Sequence, residues 1–159
     1  MTLDPISRFR RFSRAVTREV GALDTSFLGR GRPLGAARVL NAIGHGRTDV
    51  AAIRDYLGLD SGLMSRLLRS LEEEGLVVTE THPADARRRV ARLTGTGERE
   101  FAAYEEISDA RAAALLSRAP RAEALLQAMD TVALALGRDH LAIEAVSYTH
   151  LRAHETRGN

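Results

Sequence analysis

Apolar residues recur at three- and four-residue steps over most of the chain and alternate only in its middle, so the pattern predicts a mainly α fold with one small β-hairpin. The first helix is expected at Asp4-Pro5, with the Asp side chain as N-cap and the proline at the first helical position, where its missing N–H is no loss. Ile6, Phe9, Phe12 or Ser13, Val16, Val20 and Leu23 then form one apolar stripe, and Arg8, Arg10, Arg11, Arg14 and Arg18 lie largely off it. Gly29, Gly31 and Pro33 break the chain. A short second helix follows with Leu34, Ala37, Leu40 and Ile43 inward, until Gly44 and Gly46 end it. Thr48-Asp49 opens a third, with Val50, Ile53 and Leu57 as its buried face and Gly58 placed to stop it in a left-handed conformation. Asp60 starts a fourth, so the connection Gly58-Leu59-Asp60 has the length of the turn in a helix-turn-helix.

At about 100° per residue, helix 61–74 carries Leu63, Met64, Leu67, Leu68 and Leu71 on one side and Gly62, Ser65, Arg66 and Arg69 on the other. Two extended runs, Leu76–Thr81 and Arg88–Thr94, are separated by Pro83 and Asp85, which predicts a hairpin with a loop longer than two residues. Past Gly95-Thr96-Gly97 the pattern is helical to about Leu136, interrupted once at Ala119-Pro120. Phe101, Tyr104, Ile107, Leu115 and Leu116, then Leu125, Leu126, Met129, Val132, Ala133 and Leu136, line two long amphipathic helices. Only the N-terminal helix is available within the chain to cover them, so a second copy is expected to do so. The segment from about Ser147, SYTHLRAHETRGN, breaks from the alanine- and arginine-rich style before it. It reads as a non-native tail, residues 147–159, and its histidines are given no ligand role.

Composition narrows the function. The chain has 159 residues, long enough for one domain or one domain with extensions. It has no cysteine, which excludes a disulfide framework, a cysteine zinc site and a thiol redox switch, and suits the cytosol. No apolar run approaches the ~18 residues of a membrane span, and MTLDPISRFRRF has no signal-peptide core, so a soluble, cytoplasmic protein is expected. The formal charge of +2 hides an uneven distribution: residues 1–94 hold 16 Arg against 11 acids, net +5, and residues 95–146 hold 5 Arg against 9 acids, net −4. Lys is absent. Codon usage in a GC-rich genome accounts for that, yet it leaves guanidinium as the fixed side-chain cation, the group best matched to bidentate phosphate or guanine contacts.

The stretch THPADARRRVARLTGTGE gathers Arg87, Arg88, Arg89 and Arg92 with only Asp85 to relieve them. Such repulsion is removed when phosphates replace salt ions around the arginines. A basic hairpin directly after a helix-turn-helix can lie in a minor groove, while the outer face of the preceding helix enters the major groove. Ser61, Gly62, Ser65, Arg66 and Arg69 are small enough, or basic enough, to meet base edges and phosphates there. Glu72, Glu73 and Glu74 would repel phosphate, so contact is expected from the N-terminal half of the helix. Each feature alone is ordinary solvated surface; their order and spacing together point to a winged helix.

LGLDSGLMSRLLRSLEEEGLVV followed by HPADARRRVARLTGTGE resembles the MarR family of winged-helix regulators, whose wing carries Asp-x-Arg, then Leu-Thr and a Gly. Asp85, Arg87, Leu93, Thr94 and Gly97 match. The resemblance covers roughly residues 5–138. It implies a single domain over 1–146, with dimerisation helices in 1–32 and 95–138 around a DNA-binding lobe in 33–94. It also implies a homodimer that binds a pseudo-palindromic double-stranded DNA operator and acts as a repressor. On that likeness Arg87 enters the minor groove and Asp85 fixes the wing tip; Arg88 and Arg89 are expected to bind DNA beside it.

Relatives bind aromatic acids in a cleft between the dimer helices and the lobe, so a small-molecule effector is expected, with no ligand residues assigned. Arg54 departs from the small residue many relatives carry and is expected to extend outward. LGLDSG and SRLLRSLEEEGLV are similar to MarR modules fused to a GNAT acetyltransferase, which gives an alternative origin as a piece of such a fusion. No catalytic set, cofactor or metal is expected, His45 and His82 being isolated in turns.

Overall fold

The structure, a computed structural model, describes residues 4–137. Its elements in order are α1 (Pro5–Glu19), a 3-10 turn (Phe27–Gly29), α2 (Leu34–Gly44), α3 (Val50–Leu57), α4 (Ser61–Glu73), the antiparallel strands β1 (Val77–His82) and β2 (Asp85–Leu93), α5 (Gly95–Arg118) and α6 (Ala122–Leu136). This is the mainly α architecture with a hairpin wing that the hydrophobic pattern predicts. The chain divides between Ala110 and Arg111, inside α5, into two compact units.

Helix starts follow their caps. Asp4 accepts from the backbone N–H groups of Ile6 and Ser7, Asp49 from Ala52, and Asp60 from Leu63, each satisfying a donor that the first turn leaves unpaired. Gly58, with φ at +66°, ends α3 in the left-handed region and turns the chain directly into α4. The N-terminal helix stops at Glu19, earlier than its apolar stripe suggests, so Val20 and Leu23 lie beyond it.

The core of the first unit lies among α2, α3, α4, the base of the hairpin and one residue of α5. Val39, Leu40, Ile53, Leu71 and Ala91 have no exposed surface, and Tyr104 joins them from α5. Burial departs from the sequence expectation in three places. Helix α2 is covered on more than one side, so Ala36, Val39 and Ala42 are buried as well as the expected Ala37, Leu40 and Ile43, while Leu34 is half-buried. In α3 only Ile53 is fully enclosed, because Val50 and Leu57 lie at its margins. In α4 the buried residues are Met64, Leu68 and Leu71, with Leu63 and Leu67 half-buried.

The hairpin also corrects the sequence. Its strands reach the tip, and Pro83 and Ala84 alone separate them, where a longer loop is predicted. The turn amides explain the difference: Ala84 donates to His82 Nδ1 at 3.1 Å and Arg87 donates to Asp85 Oδ1 at 3.0 Å, so the tip stays satisfied without a wide loop. The register slips once, between Thr81 and His82. Thr48 adds a rung at the hairpin base, its carbonyl accepting from Ala91 N–H at 2.8 Å, next to an isolated bridge between Asp49 and Val90.

A buried ion cluster has no counterpart in the sequence expectation. Arg32, 8% exposed, donates to Glu74 at 2.5 Å, to Glu100 at 2.6 Å and to the Tyr104 hydroxyl at 3.2 Å. Arg30 pairs with Glu100 from the other side at 2.5 Å. Burial opposes the charge of Arg32, but its hydrogen bonds to Glu74, Tyr104 and Glu100 outweigh that and hold it protonated. Hydrogen bonds from Arg30 and then Arg32 draw the Glu100 carboxyl down to about 2. The cluster ties the segment before α2 to the end of α4 and to α5.

Helix α1 has no buried residue, and α6, in the second unit, has none either. Ile6 is 71% exposed and Phe9 53% on α1, and Leu134 is 61% exposed on α6. Among the described residues no helix is long and apolar enough to cross a membrane. The expectations for residues 138–159, including the non-native tail, lie outside the described residues.

Candidate nucleic-acid interface

The helix-turn-helix presents its second helix by burying one side of it. With Met64, Leu68 and Leu71 in the core, the 100° periodicity forces Ser61, Gly62, Ser65, Arg66 and Arg69 outward, and all five are exposed. Arg66 and Arg69 make no ion pair or side-chain hydrogen bond among the described residues. Gly62 keeps the first turn low: a Cβ there would lie 3.2 Å from Asp60 Oδ1 and 3.5 Å from the Arg66 guanidinium. Of the three acids expected to repel phosphate, Glu73 stays exposed and unpaired among the described residues, and the other two are engaged. Glu74 pairs with Arg32, and Glu72 accepts from the Thr79 hydroxyl.

The wing does not display its arginines uniformly. Arg87, at the tip, is exposed and its guanidinium has no partner among the described residues; its backbone N–H is held by Asp85. Arg88 is turned to Asp49, with N–O distances of 2.8 and 2.7 Å. Arg89 donates to the Thr79 hydroxyl on β1. Arg92 is exposed near the strand base and unpaired among the described residues. So the structure brings Arg87 to the tip as a free cation, and it engages Arg88 and Arg89, also expected at DNA, with the protein itself.

The Arg88–Asp49 pair is a feature the sequence hides, since 39 residues separate its members. Asp49 is legible as a cap, but nothing local shows that its second oxygen is occupied. The Ala52 N–H first, and then Arg88, hold the Asp49 carboxyl below the usual carboxylate range. Arg54 extends outward as expected and pairs with its neighbour Asp55 at 2.8 Å. His45 is not isolated: it approaches Glu105 at 3.3 Å and stands edge-on to Phe101. Among the described residues no group of three or more His, Cys, Asp or Glu could hold a metal ion.

Within the first unit a cleft of about 440 Å³ opens between the end of α2, the base of β2 and the start of α5. Ile43, Leu93 and Phe101 give it apolar walls, and Thr48, Arg92 and Glu98 contribute polar groups.

The MarR family profile matches residues 30–88, which span the helix-turn-helix and most of the wing. No curated protein matches the chain by sequence. Solved structures match over most of its length. A MarR family transcriptional regulator from Rhodococcus sp. RHA1 is 21% identical, with 85% of this chain and 96% of that one covered at a TM-score of 0.68. S. aureus MepR in complex with DNA is 21% identical, covering 84% and 98% at 0.63. CouR from Rhodococcus jostii RHA1, bound to p-coumaroyl-CoA, is 22% identical, covering 83% and 91% at 0.65. At these identities the likeness shows the fold.

Proposed function

We propose, from the match of residues 30–88 to the MarR family model, that the chain is a sequence-specific double-stranded DNA-binding regulator acting as a homodimeric repressor. The observation that carries this reading is the free cationic edge of the lobe. Arg66 and Arg69 on α4 and Arg87 at the wing tip are exposed and unpaired among the described residues, while Glu74 and Asp49 of the same lobe are taken up by Arg32 and Arg88. Unpaired guanidinium groups on a protruding helix and hairpin suit a major groove and an adjacent minor groove. In this reading Ser61, Gly62 and Ser65 allow close approach of α4, Arg66 and Arg69 meet bases or phosphates, Arg87 enters the minor groove, and Asp85 fixes the tip through the Arg87 amide.

The exposed apolar stripes of α1 and of α6 support the second copy, for a free chain would leave both in water. Two copies related by a twofold axis imply a pseudo-palindromic site. The DNA-bound relative supports the DNA partner and the p-coumaroyl-CoA-bound relative supports a small-molecule effector. The cleft beside Phe101 and Arg92 is our candidate for that effector, an acid with an aromatic or apolar body. The function is binding, with no chemical step assigned to any residue.

Selection of bound duplexes from a random pool at physiological salt tests the reading. Recovery of an inverted-repeat site is expected. Arg87→Ala should then weaken binding to that site by about 1–3 kcal/mol with the fold intact. Equal affinity of Arg87→Ala and wild type would remove the wing from the interface.

A further inference from the structure

Arg88 lies two positions before Val90, the residue of β2 that bridges to Asp49, on the side of the strand that faces the start of α3. On that face it meets Asp49, and the two oxygens of this one carboxylate are divided between two elements. Oδ1 accepts from Ala52 N–H at 2.8 Å and caps α3; Oδ2 accepts from Arg88 Nε at 2.8 Å and lies 2.7 Å from Nη2. The backbone ties the same place, through Ala91 N–H on the Thr48 carbonyl and the Asp49–Val90 bridge. Asp49 is thus the joint between the first helix of the helix-turn-helix and the wing.

We propose that Arg88 is a positioning residue that sets the wing against the helix-turn-helix through Asp49, and makes no contact with phosphate itself. The inference rests on the DNA-binding reading above for its consequence, but not for its geometry. Were Arg88 to leave for a phosphate, Asp49 would lose its guanidinium partner and face a second anion nearby, which opposes the move. The pair is partly exposed, with side-chain exposures of 52% and 20%, so its effect on global stability is small and its effect is on orientation.

The test uses Arg88→Gln, Asp49→Asn and the double variant in the full chain. Asparagine keeps an oxygen for Ala52 N–H and loses the charge. In the free protein, hydrogen exchange at the Ala91 amide should be faster in both single variants and no faster again in the double. Unchanged exchange in the singles would overturn the proposal.

On a duplex recovered by selection, Asp49→Asn should weaken binding roughly fivefold, a fraction of a whole wing contact, although general electrostatics predicts tighter binding when an acid is removed. Arg88→Gln should weaken it similarly and leave the dependence of log K on log salt unchanged, whereas loss of a phosphate contact lowers that slope by about 0.9. Tighter binding by Asp49→Asn, or a slope reduced by that amount in Arg88→Gln, would overturn the proposal. A wild-type chain that ignores every duplex in dilute salt would sink the regulator reading instead, and the exchange comparison would still decide the joint.

Discussion

Gly97 has no side chain because there is no room for one. A Cβ built there would lie 1.9 Å from the Leu76 carbonyl oxygen, where α5 starts against the beginning of the hairpin. Thr94 fixes the same junction: its hydroxyl donates to the Gly75 carbonyl at 2.6 Å and accepts from Gly97 N–H at 3.0 Å, so it caps α5 while gripping the end of α4. The Leu-Thr-x-x-Gly spacing in the sequence is therefore a packing requirement, and Gly97→Ala should lower stability by about 3 kcal/mol, at the upper part of the overpacking range, read as a drop in the midpoint of thermal unfolding. Glu100 makes a different demand. Its folded pKa of about 2 lies below the ordinary carboxylate value, so its contribution is present above about pH 4.5 and is lost as the pH falls toward 2. Urea unfolding of Glu100→Gln should show stability lowered by on the order of 3 kcal/mol near neutral pH, with the gap to wild type closing over that acid range. A constant gap would mean that Glu100 matters for shape alone. Asp4, Asp49 and Asp60 were legible as caps because capping is local; Arg32 was not legible, since its three partners come from two distant helices.

At the scale of elements, α4 was the most readable part of the candidate interface. A single helix has one period, and assigning its leucines to the core assigns Ser61, Ser65, Arg66 and Arg69 to the outside. Arg66→Ala and Arg69→Ala separate two roles that exposure leaves equal: a base-reading arginine should lose discrimination at one position of the selected site, and a phosphate-binding one should lose affinity evenly across sequences. A specificity profile from each variant, compared with wild type, checks which role each has. The wing was less readable. Composition could count its arginines but could not say which way each faces, because that depends on where β1, α3 and the end of α4 lie around β2. Once the strand is placed, Arg88 meets Asp49 and Arg89 meets Thr79, and the tip is left to Arg87.

At the scale of the molecule, the apolar stripe of α1 is the strongest argument for a second copy. Phe9, Phe12 and Val16 are 53%, 46% and 39% exposed, and covering the remaining half of each phenylalanine would contribute roughly 1 kcal/mol. Phe9→Glu should therefore shift sedimentation from dimer to monomer and, with it, weaken binding to a two-half-site duplex far more than to a single half-site. A dimer that persists unchanged would move the contact surface elsewhere. Everything governed by period and by neighbours along the chain is readable from the residues alone: the helix count over the described residues, the turn at Gly58, the hairpin, the outward face of α4. Which charges are free is settled only once the chain is folded. Coulomb pairing depends on distance in space, and the residues that pair with Arg32 and Arg88 lie dozens of positions away, so only folding shows that these two are occupied while Arg66, Arg69 and Arg87 remain open to a partner.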